Sequence, residues 1–259
     1  MTDTAPVPPR IGVVLVAAGS GTRLGHGMPK ALVPLAGRTL LEHALRGIIA
    51  AGICTELVVV LPPGDDRLQQ VCRAVGRDAG LAIGTTGGGA ERNDSVRAGL
   101  AALAPVDHVL VHDAARCLTP PAVFTRIAEA LAAGGTAVVP GLAVTDTIKT
   151  VDPQAAAARG VPDAALVTGT PDRSALRAIQ TPQGFDAAAL SAAHAGAGGW
   201  SREQAVAITD DAALMERAGH DVLVVPGDPA AFKITTALDL LLAEALLARD
   251  QTPTPTQEP

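Results

Sequence analysis

Apolar residues recur along the chain in two rhythms. Dense short runs, Ile11–Val16, Thr55–Leu61 and Asp107–His112, are rich in Val and Leu and read as strands buried on both faces. Between them apolar positions return every three or four residues over Asp65–Val75 and Asp94–Leu103, the period of a helix with one buried face. Thr39-Leu-Leu-Glu42 has capping-box spacing and predicts a helix from Thr39 to Ala51, ended by Gly52. A helix over Pro120–Ala133 starts on proline, a favoured place for it. Ala82–Gly84 and Ala137–Pro140 read as short strands, and Thr85–Arg92 as a loop. Farther on, helices are predicted over Arg173–Ile179, Asp186–His194, Asp210–Ala218 and Leu238–Arg249, with a loop at Gln180–Phe185 and a strand at Asp221–Val225. Gly141 to about Thr170 fits neither rhythm. It holds two strand-like pieces, Val144–Val151 and Ala165–Val167, around an Ala-rich link, and reads as an arm projecting from the core.

Strand and helix alternate nearly throughout, which implies βαβ units, an α/β fold and a mainly parallel sheet. In such sheets ligands sit beyond the carboxyl ends of strands. The loops after Val16, after Gly84 and after His112 should therefore converge on one edge.

Composition narrows the partners. The 259 residues carry a formal charge of -6, so no broad basic footprint for nucleic acid exists. Only 2% are aromatic, which suits Val-rich strands under Ala/Leu helices. Cys54, Cys72 and Cys117 fit no zinc spacing and no disulfide framework, so a reducing cytoplasm is expected. The polar, proline-rich N-terminus is unlike a signal peptide, and no apolar run is long enough to span a bilayer. The tail 250–259 has the composition of a disordered segment.

The first strand feeds directly into Val16-Ala-Ala-Gly-Ser-Gly-Thr-Arg-Leu-Gly25, followed by Pro29-Lys30. Small residues from Ala17 to Gly21 leave backbone N–H groups open to an anion. A dinucleotide turn needs a third glycine where Leu24 stands, and a P-loop needs a Gly-Lys pair that is missing. What remains resembles the loop of the sugar-phosphate and sugar-alcohol-phosphate nucleotidyltransferases. Attack on an α-phosphate builds charge on its oxygens and on the departing pyrophosphate, and Arg23 and Lys30 are spaced to stabilise both.

Six further motifs follow in order: Gly87-Gly-Gly-Ala-Glu-Arg-Asn-Asp-Ser95, Val111-His-Asp-Ala-Ala-Arg116, Thr145-Asp-Thr-Ile-Lys149, Gln180-Thr-Pro-Gln-Gly-Phe185, Thr209-Asp-Asp-Ala212 and Phe232-Lys-Ile-Thr-Thr236. With the first loop they resemble the 2-C-methyl-D-erythritol 4-phosphate cytidylyltransferases, over about residues 11 to 249. The resemblance implies a Rossmann-like, mainly parallel sheet flanked by helices, of the nucleotide-diphospho-sugar transferase type, in one domain spanning 1–249 with a projecting β-arm at about 141–170. It implies CTP and methylerythritol phosphate as substrates, Mg²⁺ as cofactor, and a homodimer whose sites are shared between chains. It further implies Arg23 and Lys30 as the transition-state pair. Ala17, Ala18, Gly19, Gly88, Gly89 and Ser95 would read the nucleotide. Asp113 would lie near metal and acceptor. Arg116, Thr147, Arg173 and Lys233 would grip and orient the acceptor phosphate, with Thr181 and Thr209 donating hydroxyls.

The sequence departs from the family pattern at Val16 and Cys117, where proline is common, and at Ala90, where some members carry an acidic residue for the ribose. It also lacks the usual Asn before Lys233. His108 and His112, on one strand face, read as strand-end polar residues. The rivals are a ribitol-phosphate cytidylyltransferase with the same chemistry and a nucleotide-binding module without turnover.

Overall fold

The strand that precedes the glycine loop lies in the middle of the molecule because both its faces are apolar. Ile11, Val13 and Leu15 enter one buried cluster and Val14 the other, the period-two split of a strand covered on both sides. The computed structural model describes residues 8–19, 27–152, 154–155, 163–197 and 210–250. In chain order its strands are β1 (Ile11–Val16), β2 (Pro34–Leu35), β3 (Arg38–Thr39), β4 (Glu56–Leu61), β5 (Ile83–Gly87), β6 (His108–Asp113), β7 (Ala137–Ala143), β8 (Thr150–Asp152), β9 (Leu166–Gly169), β10 (Arg177–Ile179), β11 (Gln183–Asp186) and β12 (Val222–Pro226). Its helices are α1 (Leu40–Ala50), α2 (Asp66–Ala79), α3 (Arg92–Ala102), α4 (Pro121–Ala132), α5 (Ala187–Ala197), α6 (Asp211–Arg217) and α7 (Ala237–Asp250).

β6, β1, β4 and β5 pair in parallel, with Val16 opposite both Asp113 and Val60. β12 runs parallel to β7. β11 is antiparallel to both β6 and β7, and β10 is antiparallel to β7. The result is a mostly parallel, mixed sheet flanked by helices. Buried side chains of α1, α2 and α4 share one cluster with β1 and β4. Val96 of α3, Leu190 of α5 and Leu214 and Met215 of α6 fill the other face.

Local chemistry sets the helix ends. Thr39 Oγ1 accepts the Glu42 N–H at 3.1 Å, as the capping spacing predicts. Asp65 caps α2, and Gly80 ends it in the left-handed region at φ 64°. α3 lies so close to the sheet that a Cβ on Gly99 would stand 2.4 Å from Val14 Cγ1.

Four sequence readings are corrected. The strand expected to stop at Gly84 runs on to Gly87, because β4 pairs with it to that point, Leu61 opposite Gly87. The helix expected over Arg173–Ile179 is one 3-10 turn, Arg173–Ala175, and then β10, which pairs with the end of β7. The loop expected at Gln180–Phe185 contains β11. It is a central strand, and a Cβ on Gly184 would meet Ile127 Cγ2 of α4 at 2.3 Å. Within the segment expected to form an arm, β8 and β9 pair as a separate two-stranded ladder. It starts later than expected, because β7 carries the sheet through Ala143. Residues 251–259, expected to be disordered, lie outside the described residues. Among those described, no helix is long and apolar enough to cross a membrane.

Candidate active site

The chain runs from β1 outward through β4 and β5, then returns to form β6 on the other side of β1. The crevice at such a reversal is where doubly wound sheets take ligands. A cavity of about 500 Å³ opens there. Val16, Ala17, Ala18 and Gly19 at the end of β1 line it, with Lys30, the Gly89–Arg92 loop, Ser95, Asp113, Lys233 and Thr235. The loops expected to converge do so.

The small residues let backbone meet backbone. The Ala17 N–H is not open to a ligand: it donates to the Val60 carbonyl at 2.8 Å and continues the β1 ladder. The Lys30 N–H donates to the Gly19 carbonyl at 3.3 Å and returns the chain to the end of β1. Gly88 lies behind the cavity wall, its N–H donating to Leu61 at 2.8 Å. A Cβ there would stand 2.6 Å from Ala18 Cβ and 2.9 Å from Ser95 Oγ, so only glycine permits the approach. The Ser95 hydroxyl accepts the Gly89 N–H and donates to the Glu91 carbonyl, each at 3.2 Å. It shapes the loop as well as lining the cavity.

Charge is alternately placed. Asp113, the last residue of β6, takes Lys233 Nζ on Oδ2 at 2.7 Å. Its Oδ1 lies 3.5 Å from Arg92 Nε. Arg92 Nη1 binds Asp211 Oδ2 at 2.7 Å, and Asp211 Oδ1 faces His194 Nε2 at 3.3 Å. Burial by itself would raise the Asp113 carboxyl; the cations Arg92 and Lys233 outweigh it and bring the group down to about 2. Asp113 is therefore a fixed anion at neutral pH. Burial pushes the His112 imidazole down to about 4, so that ring is neutral.

The other expected site residues fall in different places. The Thr181 hydroxyl is buried under β6, where it accepts the Asp113 N–H at 3.0 Å and meets His112 Nδ1 at 2.9 Å. It braces the aspartate and does not line the cavity. Arg116, expected on the acceptor phosphate, turns its guanidinium to protein carbonyls, with Nη1 on Ala231 at 2.8 Å and Nη2 on Ile179 at 3.4 Å. It ties the end of β10 to the loop that carries Lys233. Arg173 Nη1 donates to the Thr145 carbonyl at 2.6 Å at the base of the arm. Thr147 is exposed there, and neither residue lines the cavity. Arg23 and Thr209 lie outside the described residues.

Arg92, Asp211 and Thr235 escaped the sequence reading. Each falls inside a quoted motif without having been given a role there, and Arg92 left a further signal: a cation in the first turn of a helix faces the positive end of the dipole, an unfavourable place unless something holds it. Cys54, Cys72 and Cys117 are unpaired thiols, and burial raises Cys54 to about 11 and Cys72 and Cys117 to about 12, which disfavours the thiolate form.

Comparison with known proteins agrees along nearly the whole chain. The family profile described as IspD, 2-C-methyl-D-erythritol 4-phosphate cytidylyltransferase, matches residues 11–249. A protein of that name from Nocardia farcinica is 50% identical over 234 residues, 90% of this chain and 92% of the relative. The bifunctional enzyme IspD/IspF of Clavibacter michiganensis is 52% identical over 246 residues; the chain spans 55% of that relative's length and 93% of its own. The crystal structure of the cytidylyltransferase from Thermus thermophilus superposes with a TM-score of 0.71 at 35% identity, over 92% of this chain and 99% of that one.

Proposed function

The chain belongs to the 2-C-methyl-D-erythritol 4-phosphate cytidylyltransferase family, and we propose how its cavity carries out the transfer of that family. It is a nucleotidyltransferase that joins CTP and 2-C-methyl-D-erythritol 4-phosphate into 4-diphosphocytidyl-2-C-methyl-D-erythritol and pyrophosphate. The observation that carries the site assignment is the meeting of Lys30, Asp113 and Lys233 with the Gly89–Ser95 loop in one cavity at the β1/β6 reversal.

CTP enters with its base on the side of Gly89 and Ser95 and its triphosphate toward Lys30. A pyrimidine read by backbone groups needs no stacking aromatic, in keeping with the three Phe, one Trp and no Tyr of the chain. An oxygen of the acceptor phosphate attacks the α-phosphorus. The bond from the α-phosphorus to the β-phosphate oxygen breaks, and pyrophosphate leaves with the electron pair. The attacking phosphate is already ionised near neutral pH, so no general base is required. Lys30, with Arg23, stabilises the charge that builds on the α-phosphate and the leaving group. Lys233, steadied by Asp113, orients the acceptor.

Asp113 also bears on magnesium. Among the described residues no group of three or more His, Cys, Asp or Glu could hold a metal by itself. A single ionised carboxylate on the wall of a phosphate cavity fits Mg²⁺, which takes most of its ligands from phosphates and water. Asp113 would hold the ion, and the ion would neutralise triphosphate charge. Thr147 and Arg173, away from their own chain's cavity, fit a site completed across a homodimer by the arm. Val151 and Val167 lie opposite each other on that arm, 52% and 53% exposed, and offer the apolar contact such a dimer needs. Three unpaired thiols suit a cytoplasmic enzyme.

The test is pyrophosphate release from each of CTP, ATP, GTP and UTP with methylerythritol phosphate and with ribitol 5-phosphate. Release with CTP and methylerythritol phosphate alone is expected. Equal or better release with ribitol 5-phosphate would move the acceptor assignment, and CTP binding without release would leave only a binding module.

A further inference from the structure

Asp211 has a fully buried side chain and no place in the cavity wall, yet it is tied to that wall through one residue. Removing a carboxylate wholly from water is costly unless it is paired. Among the described residues Asp211 is paired with Arg92 Nη1 at 2.7 Å and with His194 Nε2 at 3.3 Å. Its position as the first residue of α6 adds the favourable end of a helix dipole. Arg92 has the opposite setting. Its cation opens α3 against the dipole, so its position rests on carboxylates brought from elsewhere in the chain.

The fork of the guanidinium spans two of them. Nη1 is held at the back by Asp211, while Nε lies 3.5 Å from Asp113 Oδ1 at the cavity. That distance is beyond a good hydrogen bond. Asp113 therefore keeps its short contact for Lys233, at 2.7 Å. Without Asp211 the guanidinium can rotate fully onto Asp113 and compete with Lys233. The order from interior to cavity is His194, Asp211, Arg92, Asp113, Lys233, with charges alternating from Asp211 onward.

We infer that Asp211 is a positioning residue of the transfer reaction, acting only through Arg92, which it restrains so that Asp113 and Lys233 stay in their working arrangement. The inference rests on the reading of the cavity as the transfer site.

The test measures kcat and KM for Asp211→Asn, Arg92→Ala and the double variant beside the wild type, with melting temperatures for all four. Asp211→Asn is expected to lower kcat by about 100-fold, the scale of a small misplacement of reacting groups, with KM for CTP nearly unchanged. The double variant is expected to be no slower than Arg92→Ala alone, because the two residues act as one unit. Losses that multiply in the double variant, or an intact kcat in Asp211→Asn, would overturn the inference. If Asp211→Asn does not fold, Arg92→Lys decides. It keeps the charge and removes the two-ended fork, so a kcat loss supports the inference and a retained kcat overturns it. A wild type that releases no pyrophosphate from CTP and methylerythritol phosphate would overturn the site reading, and this inference with it.

Discussion

Lys30, Asp113 and Lys233 come from three distant parts of the chain and line one cavity, each carried there by backbone that has another reason to be in place. Lys30 follows a proline and is returned to the end of β1 by its N–H bond to Gly19. Asp113 ends a strand whose register with β1 is fixed by side chains buried on both faces. Lys30→Ala is expected to lower kcat by about 100-fold or more with the melting temperature nearly unchanged, because the lost interaction belongs to the transition state and the lysine is not a core group. Steady-state kinetics with a thermal melt checks this, and near-normal turnover would remove Lys30 from the mechanism. Lys30 was legible from its spacing after the apolar run of β1, whereas Asp113 and Lys233 were named through the family resemblance of their motifs. Arg92 and Asp211 were given no role, and the carbonyl contacts of Arg116 were not foreseen. Their partners are set by tertiary contact alone: 119 residues separate Arg92 from Asp211, and 115 separate Arg116 from Ala231.

β11 and β10 are the elements where local pattern misled. Gln183-Gly184 reads as loop chemistry, but Gly184 is small because α4 presses on it, and Gln183 is buried so that its amide can bind Asp210 Oδ2 at 2.7 Å. Gly184→Ala is expected to cost about 1–3 kcal/mol by overpacking against Ile127 and Leu131, read as a lowered urea midpoint at unchanged slope. The start of α7 behaves in the opposite way, since its cap is entirely local. Asp239 Oδ2 accepts from Thr235 N–H at 2.7 Å, Thr235 Oγ1 at 2.8 Å and Thr236 N–H at 2.7 Å. Desolvation works to raise this carboxyl, but those hydrogen bonds prevail and draw it down to about 2. A carboxyl lower in the folded state than in the unfolded one stabilises fully above about pH 4, and the contribution disappears as pH falls through about 2. Asp239→Asn is therefore expected to cost about 1 kcal/mol at neutral pH, the worth of a helix cap. The gap to wild type should close below about pH 2, and denaturant titrations at the two pH values would show it. A gap that persists at low pH would mean the carboxylate's charge is not what the cap uses.

At the scale of the whole molecule, the large sheet builds the cavity and β8 and β9 form a separate two-stranded ladder. The sheet was readable because alternating strand and helix patterns leave few topologies, and because a parallel strand covered on both faces has an unbroken apolar sequence. The ladder's segment was read as two strand-like pieces that fitted neither rhythm, and its bounds were not legible because two exposed short strands carry no periodic signal. If the arm joins two copies, Val151→Asp with Val167→Asp places like charges on its contact face. Sedimentation should then move from twice the 26.0 kDa chain mass to the chain mass, with turnover falling alongside. A variant that stays dimeric and active would assign the arm another role.

The central claim is that the acceptor's own phosphate attacks the α-phosphorus of CTP in this cavity. Methylerythritol phosphate labelled with ¹⁸O on its phosphate, followed by phosphorus NMR with CTP and the wild-type enzyme, tests it most directly. The account predicts two mutually coupled diphosphate resonances, with ¹⁸O in the bridge between the two phosphorus atoms and unlabelled pyrophosphate in equal amount. Label in the pyrophosphate, or CMP and pyrophosphate without a diphosphate product, would contradict it.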